Sequence, residues 1–212
     1  MSWTSAQLLE AFLTTTSDQI IPLTAKGVSS GCKVFGAAIF RKSDLTVVNF
    51  ATNDETSSPL LHGEINCIQQ FYALPKDQRP STKDCIFFST HEPCSLCLSG
   101  ITWSGFDNIN FLFTYEDTKD TFNIPHDIKI LEEVFKVPSV NISESSAELS
   151  ERPLYNKSNS FWKAKSVSEL VNDLSGQEQI DMQQKVQEIK QKYNDLSSVY
   201  QDSKEDSDIP LS

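Results

Sequence analysis

The apolar residues of this chain change their spacing several times, and each change marks an element. Leu8, Leu9, Phe12 and Leu13 recur at helical spacing after Ser5, which can N-cap the helix they predict. Ser29-Ser30-Gly31 reads as a turn. Two runs rich in Val, Ile and Phe follow at 33–40 and 45–51, separated by Ser43-Asp44, and predict a hairpin. A polar loop, 52–59, leads into a second helical pattern in which Ile65, Ile68 and Phe71 share a face. Residues 85–90 form a short apolar strand, and Pro93 suits the first turn of a helix running to about Ser104. Residues 108–114 form another strand, with Ile109, Phe111 and Phe113 alternating. Strand, helix, strand is a βαβ unit, so these two strands are expected to be parallel with a right-handed crossover. The acidic stretch from Tyr115 to Asp120 is expected as a loop at the carboxyl end of the last strand, where open α/β sheets place ligand contacts. Ile128, Leu131, Val134 and Phe135 mark a further helix after Pro125-His126-Asp127.

Past residue 137 the pattern loosens. From 138 to 160 the composition turns to Ser, Asn and Glu with little periodicity, which predicts a long loop. Phe161-Trp162 interrupts it, either as a plug in a surface groove or as a lid over a site. Met182, Val186, Ile189, Tyr193, Leu196 and Tyr200 then recur at alternating spacings of four and three, a heptad seam. The seam is short for a coiled coil and is expected to lie on the protein's own surface, with a dimer or partner helix as the alternative. The organisation expected is a catalytic domain at 1–137, a loop with an aromatic capping segment at 138–165, an amphipathic helical tail at 166–200 and an acidic, disordered end at 201–212.

Length and charge narrow the chemistry. The 212 residues suit one domain with a tail, and the formal net charge is −11. A polynucleotide partner calls for a basic footprint, and no Lys/Arg cluster occurs, which favours a small substrate over nucleic acid. Cys32, Cys67 and Cys85 lie in apolar contexts and read as reduced, buried thiols. No signal-like or membrane-length apolar run is present, so a reducing, cytoplasmic location with no membrane partner is expected. Asn141-Ile142-Ser143 and Asn156-Lys157-Ser158 match the glycosylation pattern but carry no consequence in that compartment.

The chemistry concentrates in His62-Gly63-Glu64 and Pro93-Cys94-Ser95-Leu96-Cys97. His62, Cys94 and Cys97 are the donor set of a catalytic Zn2+ whose fourth position is left for water. Such a zinc lowers the pKa of its water to about 7 and so supplies the nucleophile. Glu64 is placed to take that water's proton, pass it to a ring nitrogen and deliver one to a departing amine. His-x-Glu followed by Pro-Cys-x-x-Cys is the pattern of zinc nucleobase deaminases. His62 and Glu64 are expected at one helix N-terminus and the two cysteines at another, both of which favour thiolate and anion. A structural zinc closed by His91 is the alternative, but it leaves Glu64 and Pro93 without a role. Asn53, in the loop before His62, either contacts a heterocycle edge or simply makes a turn with Asp54.

On these residues, 33–137 resembles the cytidine deaminase-like superfamily, within the branch of guanine deaminases, fungal cytosine deaminases and tRNA adenosine deaminases. His62-Gly63-Glu64 is similar to the fungal cytosine deaminase form; Glu92-Pro93-Cys94-Ser95-Leu96-Cys97, with Ile101 and Trp103, is closer to guanine deaminases. The resemblance implies a three-layer α/β/α sandwich on a mixed sheet of about five strands in order 2-1-3-4-5, with a homodimer as the common assembly. It implies that Asn53 contacts the base, that backbone amides near Glu64 and Cys94 complete the grip, and that Phe161 and Trp162 cap the pocket. An aspartate after the fourth strand is implied too, with Asp117, Asp120 and Asp127 as candidates. His91 is placed at the pocket mouth or in a structural role, and Trp103 beside a purine. The tail after Lys165 has no counterpart in small members of the family. The function implied is hydrolytic deamination of a free nucleobase or nucleoside, guanine ahead of cytosine. A tRNA or single-stranded nucleic-acid deaminase, or a non-catalytic subunit with structural zinc and a partner-binding tail, are the alternatives.

Overall fold

Side chains alternate across a strand, so each strand here feeds two different cores. In β1 (Gly36–Arg41), Ala37 and Ile39 face one way and Ala38 and Phe40 the other; in β3 (Cys85–His91), Cys85 and Phe87 oppose Ile86 and Phe88. A strand buried on both faces belongs inside a sandwich. The computed structural model describes residues 3–140, 144–204 and 208–211. The Asn141-Ile142-Ser143 match and parts of the acidic end lie outside them.

The sheet has five strands in the order β2-β1-β3-β4-β5, as expected. β2 (Val47–Thr52) and β3 run antiparallel to β1, while β4 (Asn108–Phe113) and β5 (Lys163–Ser166) continue parallel to β3. The 33–40 expectation starts early: pairing begins at Gly36, opposite Thr52. β5 falls inside the stretch expected to be loop. Its sequence, Lys-Ala-Lys-Ser, carries the charges that suit an exposed edge strand and hides the alternation by which strands are recognised.

One face of the sheet carries α3 (Gly63–Ala73) and α4 (Ser95–Trp103), whose Cys67, Ile68, Phe71, Leu98 and Ile101 close the smaller core. The other face carries the larger core, formed by α1 (Ser5–Thr15), α2 (Ile21–Val28), α8 (Val167–Asn172) and α9 (Gly176–Ser203). α1 is capped by Thr4 in a capping box with Gln7, one residue before the Ser5 expected. It runs on through a wide turn, Thr16–Ile20, into α2. Pro22 has no N–H for the carbonyl one turn earlier, and the π spacing of that turn accommodates the loss.

Two stretches expected as loop are helical. Thr114 and Asp117 form a capping box that starts α5 (Tyr115–Phe122), and Ser145 and Glu148 do the same for α7 (Ser146–Glu151). Between them, α6 (His126–Ile130) continues into the turn Leu131–Phe135. α9 is about 42 Å long at 1.5 Å per residue. Its stripe of Met182, Val186, Ile189, Tyr193 and Tyr200 is buried on the protein's own core, and Leu196 packs partly against it. Tyr193 meets His91, Phe113 and Phe122. No described helix is long and apolar enough to cross a membrane.

Tyr193 is a fully buried anchor of α9, so Tyr193→Ala leaves a cavity in an aromatic cluster. A loss of about 3–5 kcal/mol is expected, the cost of truncating a buried aromatic, as a lower urea midpoint with an unchanged slope.

Candidate metal centre and active site

Helix N-caps are usually Ser, Thr, Asp or Asn, which bond back to their own helix. The N-cap of α3 is His62 and that of α4 is Cys94, and neither offers the side-chain oxygen of the usual cap. They face each other instead. His62 Nδ1 lies 3.4 Å from Cys94 Sγ and 3.7 Å from Cys97 Sγ, which comes from the first turn of α4. The three donor atoms lie within 4.8 Å of one another. Zn–S near 2.3 Å and Zn–N near 2.0–2.1 Å at the tetrahedral angle require N···S separations of about 3.6 Å. The donor set therefore fits Zn2+ as it stands.

The electrostatics agree. The Cys94 thiol is held well below its ordinary pKa, first by a hydrogen bond with Cys97 and then by His62. Burial pushes Cys97 well above its ordinary value, so the pair shares one negative charge. Burial disfavours the His62 imidazolium, but the Cys94 thiolate outweighs it and lifts the pKa to about 9. The pocket stabilises positive charge at the point where the three donors meet.

Glu64 follows in the first turn of α3 and is only 3% exposed. Ser89 Oγ donates to its Oε1 at 2.9 Å, and the Cys97 thiol donates to Oε2 at 3.4 Å. Burial and the Cys94 charge both raise its pKa, with His62 and Ser89 opposing. Gly63, between donor and carboxylate, has no room for a side chain: a Cβ would lie 2.7 Å from the Gly36 Cα and 3.0 Å from the Phe35 carbonyl. α3 thus rests directly on the start of β1.

The sequence candidates separate in space. Asn53 is buried at the site, its Oδ1 accepting from the Gly63 amide at 2.6 Å and its Nδ2 donating to Glu55 at 2.9 Å. Trp103 is 91% exposed on the outside of α4, and Phe161 is 63% exposed. Trp162 plugs the smaller core and donates from Nε1 to Thr102 Oγ1, so of the two roles expected for this pair it takes the plug. His91 turns into the larger core against Phe35, Phe113, Phe122 and Tyr193, where burial drives its pKa well below the ordinary value and leaves it neutral. It is not among the three grouped donors, so the alternative in which it closes a structural zinc shell lacks its fourth ligand. Asp117 is spent capping α5 and pairs with Lys190 of α9. Of the three aspartates, Asp127 in α6 feels the site: burial and the Cys94 charge push its carboxyl up to about 8, with His62 and Lys33 opposing.

Residues not anticipated complete the surroundings. Ser89 positions Glu64, and Lys33 and Glu55 form a buried ion pair behind Asn53. Glu92 accepts from Tyr155, Lys157 and the Tyr115 amide, tying the loop before Cys94 to a segment far along the chain. A cavity lined by Glu92, Tyr115, Arg152, Tyr155 and Lys157 adjoins that loop but touches none of the donors. Lys33 was the one of these with a sequence signal, a lysine opening an otherwise apolar run. All five cysteines are unpaired and buried.

Zinc at a thousandfold excess over its dissociation constant should stabilise the chain by about 4 kcal/mol. Calorimetry should record this as a rise in Tm that Cys97→Ala abolishes. Gly63→Ala forces α3 off β1 and should cost about 1–3 kcal/mol, read as a lower Tm of the metal-free chain.

Residues 19–113 match the cytidine and deoxycytidylate deaminase zinc-binding region. The chain is 34% identical over 95 residues to a cytosine deaminase of Candida albicans, an overlap of 41% of this chain and 61% of that relative. It therefore spans less than two thirds of the relative's length. Among solved structures, a guanine deaminase of Bacillus subtilis is 25% identical, with 66% of this chain and 88% of that chain covered and a TM-score of 0.48. A guanine deaminase of Nitrosomonas europaea is 15% identical, covering 83% and 81%, with a TM-score of 0.45. His62, Glu64, Cys94 and Cys97 all lie inside the stretch that matches the cytidine and deoxycytidylate deaminase zinc-binding region, and three of them are already grouped as donors.

Proposed function

We propose that this chain is a zinc-dependent hydrolase that deaminates a free nucleobase or nucleoside. The observation that carries the reading is Glu64, a buried carboxylate held beside the three donors without being one of them. When bound, zinc supplies Lewis acidity that makes water a competent nucleophile at neutral pH. Oε1 of Glu64 accepts from Ser89 and Oε2 from the Cys97 thiol, whose proton zinc ligation would remove, and that would leave Oε2 to move protons. It takes one from the attacking water, gives it to the ring nitrogen, and then carries one to the departing amine. Water and the amine-bearing ring become the ring carbonyl and ammonia. A carboxyl whose pKa is raised by burial suits a group that must hold a proton and release it.

Two polar groups bear on substrate choice. Asn53 uses its carbonyl on Gly63 and one N–H on Glu55, so its second N–H is the donor left to offer a ligand. Its partner on the substrate is then a carbonyl or a ring nitrogen. Asp127, whose carboxyl burial and the Cys94 charge push up to about 8, is the candidate for reading an amide-like edge such as that of guanine. The purine reading rests on Asp127 and no longer on Trp103, which points to solvent. Cytosine is the second reading, favoured by the Candida albicans relative. The net charge of −11 favours a free base or nucleoside over tRNA or single-stranded DNA. A homodimer and a reducing, cytoplasmic setting belong to the same reading; the exposed Trp103 suits the first and five unpaired cysteines the second.

Ammonia release is the deciding measurement, across guanine, adenine, cytosine, their nucleosides and nucleotides, and a short single-stranded oligonucleotide. One base or nucleoside should turn over, and Glu64→Ala should slow it about 10²–10⁴-fold while still binding zinc. Silence across the panel with zinc bound, or an active Glu64→Ala, sinks the proposal. If guanine is the substrate, Asp127→Asn should raise KM more than it lowers kcat.

A further inference from the structure

Burying an ion pair removes two charges from water, and well-packed apolar residues often serve stability as well or better. Lys33 and Glu55 nevertheless pair at 2.9 Å with almost no exposed side-chain surface. The pair stands one residue from the site: Glu55 Oε2 accepts from the Lys33 backbone N–H at 2.7 Å and from Asn53 Nδ2 at 2.9 Å. An asparagine amide is nearly symmetrical in shape, and its orientation is set by what surrounds it. A carboxylate can only accept, so it dictates that the nitrogen of Asn53 points toward Glu55. The carbonyl must then point the other way, where it accepts from the Gly63 amide at 2.6 Å.

That amide belongs to the first residue of α3, between His62 and Glu64. From below, Gly63 rests on the Gly36 backbone. From the side, Asn53 holds its N–H. We propose that Glu55, held by Lys33, is a positioning residue that acts through Asn53 to register the N-terminus of α3, and with it His62, against the thiols of α4. A glutamine in place of Glu55 still accepts from Asn53, whereas an apolar residue leaves the amide free to turn and the Gly63 N–H without its partner. The inference rests on His62 being a zinc donor and not on the choice of substrate.

The test uses the full chain carrying K33M/E55L or K33M/E55Q, and zinc alone as the probe, competed against a chromophoric chelator. Both double variants remove the charges together, so neither strands a buried ion. K33M/E55L should still fold cooperatively, bind zinc at least tenfold more weakly than the parent, and show faster hydrogen exchange at the Gly63 amide. K33M/E55Q should restore zinc affinity to within about threefold of the parent and restore Gly63 protection. Parent-like zinc affinity and Gly63 exchange in K33M/E55L overturn the proposal. So does a tenfold loss in K33M/E55Q with Gly63 still protected, since the charge and not the acceptor would then matter. Should K33M/E55L fail to fold, K33M/E55Q and Asn53→Leu decide by the same two readouts. These readouts involve no turnover, so their failure is separate from failure of the deaminase reading.

Discussion

The contact between Gly63 and Gly36 leaves no space for even a methyl group, and the site is built around it. A helix that lands on a strand backbone at this distance cannot slide or rotate without a clash. Its first turn is therefore a fixed platform, and the two groups flanking Gly63 are the ones that chemistry requires. α4 approaches the same point, so two helix N-termini, each favouring negative charge, converge where thiolates and a carboxylate are needed. Charge that would be costly to bury singly is here opposed by two dipoles, an imidazole and the cation the site accepts.

The sheet separates two duties. At the end of β3, Ser89 faces α3 and holds Glu64, while Thr90 bonds Gly36 and His91 from the other side. One layer thus carries the reactive groups, and the other supplies a rigid backing of aromatic side chains under α9. α9 also reaches α5, through Lys190 to Asp117 and Gln201 to the Phe122 carbonyl. A long tail that in sequence looks separate is part of what holds α5 in place.

How far the sequence could be read depended on whether a residue's role is local. The metal triad and Glu64 were legible because their function imposes a spacing on neighbouring positions, and a helix turn translates that spacing into a shared face. Four of the five strands were legible for the same reason, through alternation or dense apolar runs. β5 was not, because an edge strand one-sidedly exposed has little hydrophobic pattern to show. α5 and α7 were passed over although each begins with a capping box, a signal of four residues that their polar faces submerge.

Long-range pairing was invisible. Nothing in the chain says that Trp103 points outward while Asp127 lies in the field of Cys94, because helix rotation and loop path are decided by packing across the sheet. Nor does the sequence connect Lys33 to Glu55, or Glu92 to Tyr155 and Lys157, since a buried charge finds its partner only when the backbone between them has folded. The sequence by itself determined the donor set, the carboxylate beside it, the strand order through family resemblance and the surface seam of α9. The tertiary structure decided which polar groups face the metal centre, which are spent on capping, and which hold the others in place. Spacing along a helix or strand is a property of the local chain; orientation at a site assembled from four elements is a property of the packing that brings them together.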